Sequence, residues 1–343
     1  MKAVQIAKPY SASIVEINKP EFKGNNAVIR VHAAGICGSD IGALRGANNL
    51  VSYPRVIGHE LAGEIVYLPE DEKLNPKNFK VGDRVVVDPY LYCGECYPCS
   101  IGRTNCCEDL KVLGVHVDGG MCEYFAHPAH MLVAIPEKIT SWTFASMAEP
   151  LCIGLHGVHR GAVKEGETLV IFGAGTIGLM AALVAKTYGA TPILIDVVDA
   201  RLQKAKELGI DYTINSMKED LVETVKKYNN GNLAHCVIEA SGANACIKSS
   251  FELVRNAGRI VFTGWPKNET SIATDIITKK ELDVRGGRTA AREFEEALEL
   301  IAEEKLPMAD ILTKTITLDE APASLLDIEK NPSDYLKVVV ELS

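Results

Sequence analysis

Over about the first 150 residues, hydrophobic and polar positions alternate in short segments such as Ala27 to Ala33, Gly63 to Leu68 and Arg84 to Asp88, with Gly, Pro and Asn turns between them. Alternation of period two predicts half-buried strands. Gly and Pro punctuation stays dense throughout, which predicts a β-rich, barrel-like domain carrying long loops. Near Glu149-Pro150 the pattern changes to unbroken apolar runs followed by helical stretches. TLVIF (168–172) precedes a helix predicted from about Thr176 to Tyr188, and PILID (192–196) precedes one over Arg201 to Leu208. Further short strands are predicted at Tyr212 to Ile214, Cys236 to Glu239, Arg259 to Thr263 and Leu282 to Arg285. Strand–helix alternation of this kind builds a parallel sheet covered on both faces.

After Gly286-Gly287 an amphipathic helix, Arg292 to Glu303, and a closing strand, Leu336 to Leu342, are predicted. Six strands already complete the central sheet, so this tail is expected to rejoin the first domain. The expected fold class is therefore α/β. A discontinuous catalytic domain, residues 1–150 and 287–343, is interrupted by a doubly wound, parallel-sheet dinucleotide domain, residues 151–286. A chain of 343 residues exceeds one ordinary core, which agrees with two domains.

The formal charge of -9 argues against a general nucleic-acid binder, which would present a basic face. The opening MKAVQIAKPY reads as a strand and lacks the apolar stretch of a signal peptide. No run reaches the roughly 18 to 20 apolar residues that cross a bilayer, and the most apolar helix, around Ile177 to Ala185, is too short. A cytoplasmic enzyme with neither membrane nor nucleic-acid partners is expected. Ten cysteines without a secretion signal do not suggest a disulfide framework. Five of them, Cys93, Cys96, Cys99, Cys106 and Cys107, crowd one Gly- and Pro-punctuated segment, which points to metal.

Gly173-Ala-Gly175-Thr176-Ile177-Gly178 follows TLVIF directly and opens the next helix. The first glycine permits a tight turn, the second lets the backbone approach a pyrophosphate, and the third allows close helix–strand packing. Helix-start N–H groups then hold the phosphates. Taken alone, the glycines are a weak signal, since a tight turn with no ligand matches the same pattern by chance. Asp196, ending the next strand 18 residues after Gly178, changes that. Its carboxylate accepts hydrogen bonds from the adenosine ribose hydroxyls and repels a 2′-phosphate, and Val197 follows where an arginine would neutralise one. NAD is favoured over NADP. Arg201 is a candidate for the ribose edge, or else a solvated first-turn arginine.

Cys93-x2-Cys96-x2-Cys99-x7-Cys107 offers four thiolates to a closed tetrahedral zinc site of structural type, with Cys106 as bystander. Free surface thiols or an iron–sulfur cluster are the alternatives, though the spacing is not a usual cluster run. A second, open zinc site is suggested by Cys37 in GICGSD, His59-Glu60 in GHELAGEIV, and Glu149. Each also has a plain reading, as a small buried thiol, a satisfied core histidine and a helix-start carboxylate.

With GICGSD (35–40), GHELAGEIV (58–66), the cysteine lobe, DGG-x2-EY (118–124), AEP (148–150) and GAGTIG (173–178), the chain resembles the medium-chain zinc-dependent alcohol dehydrogenases, in particular their polyol dehydrogenase branch. The resemblance covers nearly the whole chain. It implies a GroES-like catalytic domain beside the Rossmann domain, and two zinc ions per chain. Cys37, His59 and Glu149 resemble the catalytic zinc ligands, glutamate at the last position being similar to polyol and sugar-alcohol members. Glu60 resembles the mobile carboxylate that binds the metal directly or holds a water on it. Ser39 resembles the hydroxyl that starts proton removal, and Asp40 the residue that orients His59. Family members often carry a histidine three residues after the relay hydroxyl. Here Gly42 stands there, so the proton is expected to leave by another path, through Glu60 and water.

SYPRVIGHE and the stretch from Glu95 to Gly120 are similar to bacterial sugar-acid 5-dehydrogenases of the L-galactonate type. The implied reaction is hydride transfer from a secondary alcohol of a sugar acid or polyol to NAD, giving a ketone. Arg288, in RGGRT, falls where polyol dehydrogenases place an arginine at the active-site mouth, and could equally be a solvated arginine. His116 and Arg45 are lesser pocket candidates. The alternatives are an L-threonine 3-dehydrogenase-like enzyme, a phosphorylated-polyol dehydrogenase, or, in another class, an inactive zinc- or nucleotide-binding structural protein, which the intact ligand set disfavours. The resemblance also implies a homotetramer, or a homodimer.

Overall fold

A computed structural model describes residues 1–342, which form two compact units. One comprises Met1–Glu149 together with the chain from Phe294 onward, and the other is Pro150–Glu293.

The first unit is built on a seven-stranded sheet. Its strands run in the order Leu132–Ala134, Arg84–Val87, Glu60–Tyr67, Ala27–Ile36, Lys337–Glu341 and Leu312–Thr317, and Tyr124–His127 also pairs with Ala27–Ile36. Every pair is antiparallel except Leu312–Thr317 with Lys337–Glu341. A three-stranded sheet (Ser11–Glu16, Lys2–Lys8, Arg55–Val56) adds Val4 and Ile6 to a core that includes Ile29, Leu44, Ile57, Leu61 and Ile65, all fully buried. The strand Lys337–Glu341 therefore lies inside the first unit's sheet, against the long strand that leads into Cys37.

In the second unit six strands lie parallel: Thr168–Phe172, Thr191–Asp196, Tyr212–Asn215, Ala234–Glu239, Val254–Phe262 and Asp283–Gly286. Their spatial order is third, second, first, fourth, fifth, sixth, the doubly wound arrangement with its crevice at the first strand's carboxyl end. TLVIF is buried at all five positions, because a parallel sheet has both faces covered. In the helix Thr176–Thr187, which packs beside this sheet, every residue from Gly178 to Ala185 is buried.

Both ends of the second unit extend slightly beyond the sequence expectation. Pro150 belongs to it, and its far boundary falls after Glu293, not at Gly286. The segment 287–293 is held by Gly287 N–H donating to Phe262 O (2.8 Å) and by Glu293 Oε1, which binds His156 Nδ1 (2.7 Å) and His159 Nδ1 (3.4 Å) on the helix Ala148–Arg160. Among the described residues, no helix is long and apolar enough to cross a membrane.

Candidate active site

Cys37 ends the strand Ala27–Ile36 and caps the helix Gly38–Leu44; its backbone N–H donates to Asp40 Oδ2 (2.9 Å), which fixes the turn. His59 and Glu60 enter the neighbouring strand Glu60–Tyr67. Register pairs Gly35 with Glu60, so the end of one strand and the start of the other bring Cys37, His59 and Glu60 together. One ligand atom from each lies within 4.8 Å of the others. His59 and Glu60 are buried, and His59 Nδ1 and Asp40 Oδ1 have no hydrogen-bond partner. Burial alone would lower the His59 pKa, but the thiolate of Cys37 and the carboxylates of Asp40 and Glu149 hold it well above the usual imidazole range. Anions gathered around a buried imidazole fit a divalent cation, and a set of sulfur, nitrogen and oxygen donors fits zinc. Ser39 Oγ lies 3.4 Å from His59 Nε2, beside these donors. Asp40 is hydrogen-bonded to Cys37, not to the His59 ring.

Lys337 completes this centre from the opposite end of the chain. Its Nζ donates to Glu60 Oε1 and Oε2, both at 2.7 Å, and to Ile36 O at 3.0 Å. Lysine and glutamate are 3% and 0% exposed, so this is a buried ion pair. Burial opposes the lysine's charge, but Glu60 and Cys37 outweigh it and raise its pKa. Gly35 makes room for the pair, since a Cβ at that position would lie 1.8 Å from Glu60 Oε2. Sequence reading missed Lys337 and the role of Gly35. The available signal was a lysine opening the apolar run KVVVEL, where a buried cation needs an anionic partner.

Glu149 opens the helix Ala148–Arg160 and is buried next to this cluster, but it is not one of the three clustered donors. Tyr90 Oη donates to its Oε1. Burial pushes Glu149 up to about 7, with His59 opposing and Glu60 reinforcing the shift.

The lobe cysteines Cys93, Cys96, Cys99 and Cys107 form a second cluster, with sulfur separations of 3.4 Å (Cys96–Cys99), 3.5 Å (Cys93–Cys107) and 3.8 Å (Cys96–Cys107). Tetrahedral Zn–S bonds of about 2.3 Å put sulfurs about 3.8 Å apart, so these donors match a closed zinc site. The fourth member is Cys107, and Cys106 stands outside the set.

In the second unit Gly173 takes φ +98°, a conformation that L side chains rarely adopt. A Cβ on Gly178 would lie 1.9 Å from Gly173 O, so helix and loop pack as closely as the motif requires, while the space at Gly175 is open. The helix starts at Thr176 and Ile177, leaving its positive end beside that space. Asp196 Oδ2 accepts from Ala174 N (2.7 Å), and Oδ1 from Val197 N (2.7 Å) and Val198 N (2.9 Å). The carboxylate is thereby aimed beside the glycine loop, with Arg201 Nη1 3.8 Å away. These features fit a dinucleotide.

Arg288 lies half-buried on the loop after Asp283–Gly286. The lesser pocket candidates have other work. Arg45 Nε and Nη2 bond Glu329 Oε1 (3.0 Å) and O (3.2 Å), and His116 Nδ1 accepts from Val112 N (3.1 Å) to close a turn.

Residues 23–137 match the alcohol dehydrogenase GroES-like domain, and residues 176–303 the zinc-binding dehydrogenase family. The chain is 49% identical over 338 residues, 98% of each chain, to a zinc-type alcohol dehydrogenase-like protein of Haemophilus influenzae. The chain belongs to the zinc-type medium-chain alcohol dehydrogenase family. Within the family it is 38% identical over 291 residues, 84% of each chain, to L-galactonate-5-dehydrogenase of Escherichia coli. The crystal structure of RspB from E. coli CFT073, complexed with NADH, superposes with a TM-score of 0.92 at 35% identity, covering 100% of this chain and 99% of that one. The expected fold, a GroES-like domain with a Rossmann-like parallel sheet, is the observed one. Membership makes the chain an NAD(P)-dependent alcohol dehydrogenase with zinc as a cofactor, among relatives that act on polyols and sugar acids.

Proposed function

We propose that this enzyme transfers hydride from a secondary hydroxyl of a sugar acid or sugar alcohol to NAD, giving a ketone. Cys37, His59 and Glu60, with Glu149 beside them, would hold the catalytic zinc, and Cys93, Cys96, Cys99 and Cys107 a structural one, two per chain. The observation that carries the reading is the cluster of half-buried Cys37 with buried His59 and Glu60, and its unpaired imidazole nitrogen. When bound, zinc supplies Lewis acidity that lowers the pKa of a substrate hydroxyl. Ser39, next to His59, would accept a hydrogen bond from the substrate hydroxyl and, as it receives that proton, pass its own on to water. Asp40 holds Cys37 in place through its backbone, while Lys337 anchors Glu60 and neutralises it.

On the cofactor side, Gly173, Gly175, Thr176, Ile177 and Gly178 would cradle the pyrophosphate. Asp196 would accept the ribose hydroxyls; its oxygens keep lone pairs beyond those used by backbone amides. A carboxylate there disfavours the 2′-phosphate of NADP. Arg288, on the same unit, is assigned to the substrate's hydroxyls or carboxylate. The active form is proposed as a cytoplasmic homotetramer, or a homodimer, which sedimentation would distinguish.

The test is NADH formation against hexonates, pentitols, hexitols, a phosphorylated polyol and L-threonine, with zinc quantified in the same sample. Turnover on an aldonate or polyol with about two zincs per chain is expected. Preference for L-threonine or the phosphorylated polyol would move the enzyme to those branches. A folded, zinc-free protein would overturn the mechanism.

A further inference from the structure

Tyr90 belongs to a two-residue strand, Tyr90–Leu91, that pairs antiparallel with Lys111–Val112, Tyr90 opposite Val112 and Leu91 opposite Lys111. These two strands are the neck from which the four-cysteine lobe loops out. Leu113 N–H donating to Pro89 O (3.2 Å) extends the neck, and Tyr90 N–H donating to Asp88 Oδ1 (3.1 Å) sets the tyrosine's backbone. The ring is 4% exposed, and its hydroxyl donates to Glu149 Oε1.

We infer that Tyr90 is a positioning residue for the catalytic metal site, which ties the aim of Glu149 to the integrity of the cysteine lobe. A free carboxylate presents two equivalent oxygens and can rotate between them. With Oε1 engaged by a buried phenol whose backbone is fixed in the neck, Oε2 is the oxygen left available to a metal. Outer partners of this kind set the orientation and basicity of a ligand. Loosening the lobe loosens its neck, and with it the phenol that holds Glu149. The inference rests on the reading of Glu149 as a carboxylate of the zinc site. A tyrosine that merely found an acceptor for its buried hydroxyl would affect stability and leave metal binding alone.

The experiment measures zinc release from each site of the holoenzyme in chelator competition, together with the visible d–d spectrum after cobalt replaces the catalytic zinc. Tyr90→Phe, which keeps the ring, is expected to weaken the catalytic zinc about 10- to 100-fold, to change the cobalt spectrum, and to leave the lobe zinc as tight as before. Unchanged affinity and spectrum would overturn the inference. Cys99→Ser, which takes one ligand from the lobe, is expected to weaken the catalytic zinc when Tyr90 is present and to add little in the Tyr90→Phe background. Equal weakening in both backgrounds would remove the link to the lobe. A wild-type enzyme with no tight zinc at Cys37 and His59 would sink the functional reading itself, a result distinct from a silent Tyr90→Phe.

Discussion

Replacing Lys337 by methionine tests the electrostatic design of the site most directly. In the native centre the ammonium lies 2.7 Å from both oxygens of Glu60, at almost zero exposure. Unit charges at that distance attract by about 6 kcal/mol at an effective dielectric of about 20. Desolvation of both groups consumes much of this, so the pair's net value is small, but removing one partner strands the other. Lys337→Met leaves the Glu60 carboxylate buried without a countercharge, at a cost of about 3–5 kcal/mol. For a domain of this size that corresponds to a melting temperature lower by roughly 6–20 °C. Loading zinc should shrink the loss, because a cation then faces Glu60 from the other side. The double variant Lys337→Met/Glu60→Gln should recover most of it, since neither charge remains.

Urea denaturation is the assay, with and without a chelator. The chain has two tryptophans, Trp142 in the first unit and Trp265 in the second. Trp265 is 70% exposed, so Trp265→Phe provides a mild background in which Trp142 fluorescence reports the first unit alone. A metal-free Lys337→Met protein that lost less than about 1 kcal/mol, or a double variant as unstable as the single, would refute the argument that Glu60 depends on this lysine.

Three further outcomes are expected. Asp196→Asn removes a charged acceptor worth about 1.5–3 kcal/mol, so KM for NAD should rise about 10- to 100-fold while NADP is used relatively better, read as kcat/KM for the two cofactors. Gly42→His is open to a side chain, because a Cβ there meets only Asn48 Cβ at 3.6 Å; if the missing relay limits proton release, kcat below pH 7 should rise about tenfold, less than the 10²-fold or more of a wholly new acid–base group, and an unchanged pH profile would show that the proton does not pass this point. Burial would raise the Glu293 carboxyl, but hydrogen bonds from His156 and His159 hold it below the ordinary range. The unfolded chain therefore binds the extra proton first, and the stability this group contributes is present above about pH 4.5 and lost as pH falls toward the folded value. Glu293→Gln should be less stable near pH 7 and show a shallower acid limb in urea midpoints taken from pH 7 to 3.

What was legible in the sequence shares one property: the chemistry is written within a short stretch. The glycine loop follows its strand directly, four cysteines lie within fifteen residues of chain (93–107), and a parallel strand buried on both faces reads as an apolar run without any knowledge of its neighbours. Asp196 was readable because the strand–helix repeat fixes its distance from the glycines. The partner of Arg45 was not legible, because an exposed arginine at a helix end carries no local mark of it, and Glu329 is 284 residues away. The second unit's far end is nonlocal in the same way: Glu293 is held by histidines 137 and 134 residues before it.

The active centre shows why such partners escape a reading along the chain. Its members are set by register between strands, not by spacing within them. Gly35 faces Glu60 across one antiparallel pair, and the strand carrying Lys337 lies on the other side of Gly35, with Val338 opposite Ile36 and Val339 opposite Gly35. One missing side chain on the middle strand thus opens the space in which a glutamate from one neighbour meets a lysine from the other. A slip of one residue in either pair would turn the opposing side chain to the other face of the sheet and leave a buried charge unpaired. The ion pair is therefore a reason for the sheet to adopt one register, as well as a consequence of it. Because Lys337 lies 277 residues after Glu60, the Glu60 carboxylate gains its countercharge only when the strand Lys337–Glu341 docks. The strand Lys337–Glu341 joins the first unit's sheet after the whole second unit has intervened in the chain.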